Sequence, residues 1–385
     1  MVGGPFGGFG MGQRMVERVD VAIVGGGAMG SAAAWQLAGR ADTLLLERFE
    51  PGHLNGASHG ASRNFNVSYA DPVHVGMLVE AERLWRLLEA QTGTELLTQH
   101  GIVNHGPNPG HEAAHAALAA AGIPSVFVDE GEASERWPGI RFEGRVLFTP
   151  TAGRLHADRA VAALQRAARQ KGARVQHGAR VTGIRPVGDE AVLTIETAEG
   201  VRDLRARRVV VTVGAWTSTL LTGHVPLPRL VVTQEQPAHF APRIPGEWPG
   251  FNHFLADSGP DRRWPSSVYG MHTPGQGIKA GWHGVGPVID PDRRSFVPDP
   301  ALSALIRDYA REWLPGVDAD DVTEITCTYT TTPDGVFVID RRGPVVLGAG
   351  FSGHGFKFTP SVGRLLADLA LDRAPAPAIF ALDRF

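Results

Sequence analysis

The chain has 385 residues, of which 43% are hydrophobic and 20% charged, and its formal net charge is −3. This is the composition of a globular protein long enough for two domains, and the charge balance gives no reason to expect nucleic acid or an anionic membrane as a partner. The single cysteine, Cys327, excludes an internal disulfide framework and fits a reducing, cytoplasmic compartment, and no zinc-type Cys/His spacing occurs.

Residues 1–18 are Gly-rich and lack a continuous apolar stretch. They are expected to form a flexible leader, or to contain the true start at Met11 or Met15, and not to act as a secretion signal. "VDVAIV", 19–24, is a short β-branched run that predicts a buried parallel strand. "GGGAMG" then turns into a small-residue helix, and "TLLLE", 43–47, predicts the next strand. Residues 21–39 carry no charge, but the glycines at 25, 26, 27 and 30 divide them into strand, turn and helix, so they do not predict a membrane span. Helices are predicted over 71–93, 111–122, the start of 156–186, 301–316 and 361–371. A hairpin and then a buried strand at 209–213 are expected before a glycine turn. The Pro-, Gly- and Trp-rich stretch 226–296 reads as an antiparallel sheet with long loops.

Gly25, Gly27 and Gly30 match G-x-G-x-x-G in its confirming context, with a strand before, a helix after and an acid, Glu47, ending the second strand. The glycines let backbone approach a pyrophosphate at the helix N-terminus, and Glu47 is placed to accept from a ribose hydroxyl. The motif does not separate FAD from NAD. A second signal is the scarcity of lysine: only Lys171, Lys279 and Lys357 stand among 37 Lys and Arg residues. Lysine is a compact, mobile charge that can lose its proton, whereas arginine is a fixed fork, so positions that keep lysine here are candidates for chemistry.

"VAIVGGGAMGSAAAWQLA", "GASHGASR", "VVVTVGAW", "GIKAGWH", "CTYTTTPDGVFVID" and "GAGFSGHGFKF" occur in that order from about residue 19 to the end. Together they resemble the monomeric sarcosine oxidase family of flavoprotein amine oxidases, whose relatives include N-methyltryptophan, pipecolate and fructosyl amino acid oxidases. The resemblance implies an α/β fold: a Rossmann-like FAD-binding domain of the D-amino acid oxidase type, assembled from 19–90, 155–217 and 325–385, and a second, antiparallel-sheet substrate domain from 91–154 and 218–324. It implies FAD as cofactor, joined through Cys327, although a lone cysteine is ordinarily just buried. Gly25, Gly27, Ala28, Met29, Gly30, Glu47, Arg48 and Ser58 would line one part of the cofactor. Arg63, Val181, Gly214, Trp216, Gly353, Gly355, Phe356 and Lys357 would line the rest.

The same resemblance gives Lys279 the place of an oxygen-activating lysine beside the flavin. Lys357 takes that of a lysine reaching the substrate carboxylate, and His59 and Arg63 lie near the flavin ring. Asn66 departs from the family pattern, which has a second arginine there for that carboxylate; an amide suits hydroxyls instead. This favours a polar N-substituent such as the sugar of a fructosyl amino acid, with sarcosine or another N-methyl amino acid as the alternative. A flavin dehydrogenase with another acceptor is a further alternative. Tyr269, Tyr329 and His283 are candidate pocket walls. The implied partners are a small amine and O2, without nucleic acid or membrane, for a monomer or homodimer.

Overall fold

The computed structural model describes residues 17–246 and 248–385. The expected leader therefore lies outside the described residues except for Glu17 and Arg18, which open the first strand, Glu17–Val24. That strand is the centre of a parallel array. Thr43–Leu46 pairs with it on one side, followed by Arg174–Gln176, and Gly200–Val211 pairs with it on the other, followed by Val345–Ala349. Central strands of such an array are covered on both faces, which is why they read as unbroken Val, Ile and Leu runs; Val21, Ile23, Leu45, Val210 and Val346 are fully buried. The helices Ala28–Leu37, Ala157–Gln170 and Thr359–Ala370 pack together on one side. Two antiparallel hairpins extend this eight-stranded sheet, from Arg180–Val187 with Glu190–Thr197 and from Val338–Arg342.

Gly200–Val211 corrects the expectation of a hairpin followed by a separate buried strand. It is one 12-residue strand. Its first half pairs with the hairpin, and its last three residues, Val209 to Val211, pair with Val345–Ala349, so a single element serves two neighbours on one edge.

The second eight-stranded sheet runs in the order Val317–Glu324, Ala238–Pro242, Gly277–Trp282, Val268–Thr273, Gly250–His253, Ile102–His105, Val146–Thr149, Val126–Val128. All its pairs are antiparallel except Gly250–His253 with Ile102–His105. The helix Pro300–Trp313 covers one face through Ile306 and Tyr309, against Phe240, Phe251, Trp264 and Trp282. Side chains alternate along each strand, so Ile278, Ala280 and Trp282 enter this core while Lys279 faces the other way.

Two small sheets tie the large ones together. Val231–Glu235 pairs with Cys327–Thr331, and Gly153–Leu155 lies between Arg63–Phe65 and Leu97–Gln99. The expected division after residue 154 thus cuts through a strand, and the one after 217 cuts the helix Thr217–Leu221. No described helix is long and apolar enough to cross a membrane.

Candidate active site and cofactor cleft

A cavity of about 880 Å³ runs between the two large sheets, within the size range of cofactor and ligand sites. Among the described residues it gathers every cofactor and substrate candidate read from the sequence except Gly30, which lies just beneath it.

At one end is the glycine turn. Gly25 has φ of 99°, and a Cβ on Gly30 would collide with the Gly25 carbonyl oxygen and lie 2.6 Å from Thr212 Oγ1, so the turn closes only without side chains. Glu47 braces it: Oε2 accepts from Gly26 N–H at 2.6 Å and Oε1 from Phe49 N–H at 2.9 Å. The carboxylate keeps lone pairs for a hydroxyl, but its first job is to fix the turn. Ser58 Oγ accepts from Ala28 N–H at 2.9 Å, and Met29 joins Ala28 on the cavity wall. Farther along, Asp292 Oδ1 accepts from both Arg48 (2.6 Å) and Trp216 Nε1 (2.9 Å), beside Val181 and Gly214.

The loop after the second strand supplies His59 and Arg63. Arg63 donates to the carbonyls of Ala57 (2.9 Å), His59 (2.5 Å) and Ser62 (2.8 Å), so its guanidinium holds this loop in shape and lies 5.6 Å from the Phe356 ring. His59 is buried, and its Nε2 has no partner among the described residues. Burial first, and then Arg63, push it down to about 3, so it is a neutral imidazole at working pH.

Lys279 projects from its strand between Met271 and His239 on neighbouring strands. It is 3% exposed, and its Nζ has one acceptor, Ser62 O at 3.4 Å. Burial and then Arg63 push it down to about 7. Cys327 opens its own strand into the cavity, with its thiol pushed up by burial. Tyr329 follows two residues on and lines the cavity with Tyr269, and both phenols are pushed up by burial. His283 lies 5.4 Å from the Tyr329 ring. Gly353, at φ of 78°, passes where a Cβ would strike Tyr329, so the segment carrying Gly355, Phe356 and Lys357 can sit directly under that wall.

Lys357 is 7% exposed on the cavity wall. Its Nζ donates to Tyr69 OH at 3.0 Å and His354 O at 3.4 Å, and no carboxylate pairs with it among the described residues. Burial alone pushes it down to about 7. Asn66 is less free than the sequence suggests: its Nδ2 donates to Asn104 Oδ1 at 3.2 Å and its Oδ1 accepts from Ser68 N–H at 3.1 Å.

The family description "FAD dependent oxidoreductase" matches residues 20–369. The chain belongs to the FAD-dependent oxidoreductase family. It is 33% identical to the monomeric sarcosine oxidase of Bacillus sp. (strain NS-129), covering 92% of this chain and 94% of that one. It is also 33% identical to the peroxisomal sarcosine oxidase of Mus musculus, over 95% and 96%. The N-methyl-L-tryptophan oxidase of Yersinia pestis (strain Pestoides F) is 28% identical, over 95% and 99%. Among solved structures, the open form of NikD, described as an unusual amino acid oxidase essential for nikkomycin biosynthesis, superposes with a TM-score of 0.82 at 27% identity, over 95% of this chain and 98% of that one.

The residues present suit the FAD of this family. The cleft is long, begins at a glycine turn beneath a helix N-terminus, and ends among groups that bear unmatched polar capacity: the His59 Nε2 and two buried ammonium groups, which among the described residues have no partner and no counter-ion respectively. A polyanionic, heteroaromatic group supplies what each end lacks.

Sequence reasoning missed Tyr69, His354 as a partner for it, and a chain of amides on the substrate side. Asn64 Nδ2 donates to Asn252 Oδ1 (3.3 Å), and Asn252 Nδ2 donates to Asn104 Oδ1 (2.8 Å), the acceptor that also serves Asn66. A signal was available: "IVNH" and "GFNH" end alike, and their parallel pairing sets Asn104 beside Asn252 and His105 beside His253.

Proposed function

We propose that this FAD-dependent oxidoreductase is an oxidase of secondary amines that carry a carboxylate, with O2 as the electron acceptor. The observation that carries the reading is Lys357: a buried ammonium on the cavity wall, bonded only to neutral oxygens, with one N–H uncommitted. Such a group lacks a counter-charge, and a substrate carboxylate supplies it. Bound FAD supplies the two-electron acceptor for the substrate C–N bond and returns the electrons to O2 as hydrogen peroxide, while water hydrolyses the imine product. Lys357 orients the carboxylate, Lys279 holds a positive charge in a dry site where reduced oxygen would need it, and Tyr269, Tyr329 and His283 close the pocket. Cys327, on the wall of the cleft, is proposed as the covalent anchor; burial raises its thiol pKa, and the nearby cations Arg63, Lys279 and Arg294 oppose that rise by favouring the thiolate.

Two N-substituents are distinguished by separate observations. The cavity wall bearing Asn64, Asn66, Ser68 and Asn252 is polar, and although most of its groups are bonded to one another, the buried Asn64 Oδ1 has no partner among the described residues, an acceptor that a sugar hydroxyl can use and a methyl group cannot, which favours N-fructosyl amino acids. The sarcosine and N-methyltryptophan oxidases among the similar chains favour an N-methyl amino acid. Anaerobic bleaching of the flavin by sarcosine and by fructosyl-glycine decides between them, and peroxide release tests the oxidase assignment. We expect the higher kcat/KM with fructosyl-glycine, and expect Asn66→Arg to shift the ratio toward sarcosine. Efficient turnover of sarcosine with none of fructosyl-glycine overturns the fructosyl preference; bleaching by none of sarcosine, N-methyltryptophan and a panel of N-methyl and N-fructosyl amino acids overturns the amine oxidase reading.

A further inference from the structure

Lys357 does not stand alone. Its Nζ lies 3.0 Å from Tyr69 OH, Tyr69 OH lies 3.2 Å from His354 Nδ1, and His354 Nε2 lies 3.0 Å from the carbonyl oxygen of Gly335. The direction of this chain follows from its last member. A carbonyl can only accept, so His354 Nε2 carries the hydrogen. The imidazole is neutral, held there by its burial and by the Lys357 charge, so Nδ1 is a bare lone pair. Tyr69 must then donate its one hydrogen to Nδ1, and its oxygen turns only lone pairs toward Lys357. Every bond in the series points the same way, from ammonium to phenol to imidazole to carbonyl, and such a series polarises each member in favour of the next.

We propose that Tyr69 and His354 are positioning residues: they fix Lys357 as a one-way donor, so that its remaining N–H faces the substrate carboxylate. The proposal rests on the reading of Lys357 as the carboxylate site. The surroundings add to it. His74 stacks on Tyr69 with centroids 5.4 Å apart, Phe358 meets the same ring edge-on at 5.5 Å, and His283 and His74 are the other titratable groups that feel the Lys357 charge. No acid joins the series among the described residues, so no second acceptor competes for the tyrosine's hydrogen. If the imidazole lone pair were lost, the phenol hydrogen would be free to rotate toward the ammonium and repel it.

The test uses the flavin-loaded protein and acetate as the probe carboxylate, with binding followed by the change in flavin absorbance and proton uptake followed by calorimetry in two buffers. Tyr69→Phe and His354→Leu are expected to weaken acetate about tenfold near neutral pH and to raise KM with little change in kcat, whereas His354→Gln, which can still accept from the phenol, keeps most of the affinity. Lys357→Met separates the two layers of the argument. Loss of acetate binding in Lys357→Met with unchanged affinity in Tyr69→Phe and His354→Leu overturns the positioning role and leaves the carboxylate reading intact. Unchanged affinity in Lys357→Met overturns both. Should Tyr69→Phe lose its flavin, His354→Leu, one hydrogen bond farther from Lys357, carries the test, and equal loss in His354→Leu and His354→Gln counts against it.

Discussion

A buried lysine makes carboxylate binding depend on pH in a range where an ordinary lysine would not. Lys357 is pushed from 10.5 down to about 7 by burial. Its charge is complete below that value and is lost as pH rises through it, so a carboxylate should bind fully on the acid side and progressively less above. The fraction of ammonium falls about tenfold by pH 8 and about a hundredfold by pH 9, and the dissociation constant of acetate should rise in step. Acetate is preferable to a substrate, because a substrate amine must itself lose a proton and would impose an opposing limb. The other groups near Lys357 do not titrate in this window: His74, His283 and His354 are pushed below their ordinary 6.5, and Tyr69, Tyr269 and Tyr329 above 10. Lys279 does, being pushed down to about 7 as well, and it lines the same cavity. Two variants therefore accompany the titration. Lys357→Arg, which cannot lose its proton, should flatten the limb, and Lys279→Met should leave it. A flat dissociation constant from about pH 6 to 9 in the wild type, or a limb that survives Lys357→Arg and vanishes in Lys279→Met, refutes the assignment of the charge to Lys357.

Lys279→Met should slow reoxidation by O2 by about 10²–10³ while leaving anaerobic reduction by substrate close to wild type, as for the loss of a preorganised charge; stopped-flow traces with unchanged reoxidation would remove it from the oxygen step. Denatured wild-type protein should retain its yellow colour and the mass of FAD, and Cys327→Ala should release both; complete release from the wild type on acid precipitation refutes the covalent link alone. Gly30→Ala, whose Cβ would collide with the Gly25 carbonyl, should cost about 1–3 kcal/mol through forced backbone shifts and lower the flavin-to-protein ratio after gel filtration. A full complement of flavin at an unchanged Tm would show that the turn has room the geometry denies.

What the sequence made legible was what is local or rare. The glycine turn, its flanking strands and Glu47 lie within one continuous stretch, and the strand runs are pure because both faces are covered. Lys279 and Lys357 stood out because lysine is scarce. Illegible were the strands of three or four residues, such as Arg63–Phe65, Ile102–His105, Val126–Val128 and Gly153–Leu155, which are too short to show a period. Tyr69 was hidden for another reason. It meets Lys357 across 288 positions, and nothing beside it in the chain marks a tyrosine two residues ahead of a helix cap as a partner for anything. Asn66 was visible as a departure from the family pattern, but its bond to Asn104 depends on a strand that pairs far along the chain.

The two small sheets that straddle the cleft govern how the molecule can come apart. The chain crosses between the large sheets repeatedly, and the crossings at 63–65, 153–155, 231–235 and 327–331 are themselves paired in ladders and not left slack. Neither half is a continuous length of polypeptide, so no single cut liberates one, and rotating one half against the other would break backbone pairs beside Cys327 and Arg63. Rigid opening about a hinge is therefore costly in this architecture. Melting is expected to take both halves in one cooperative step.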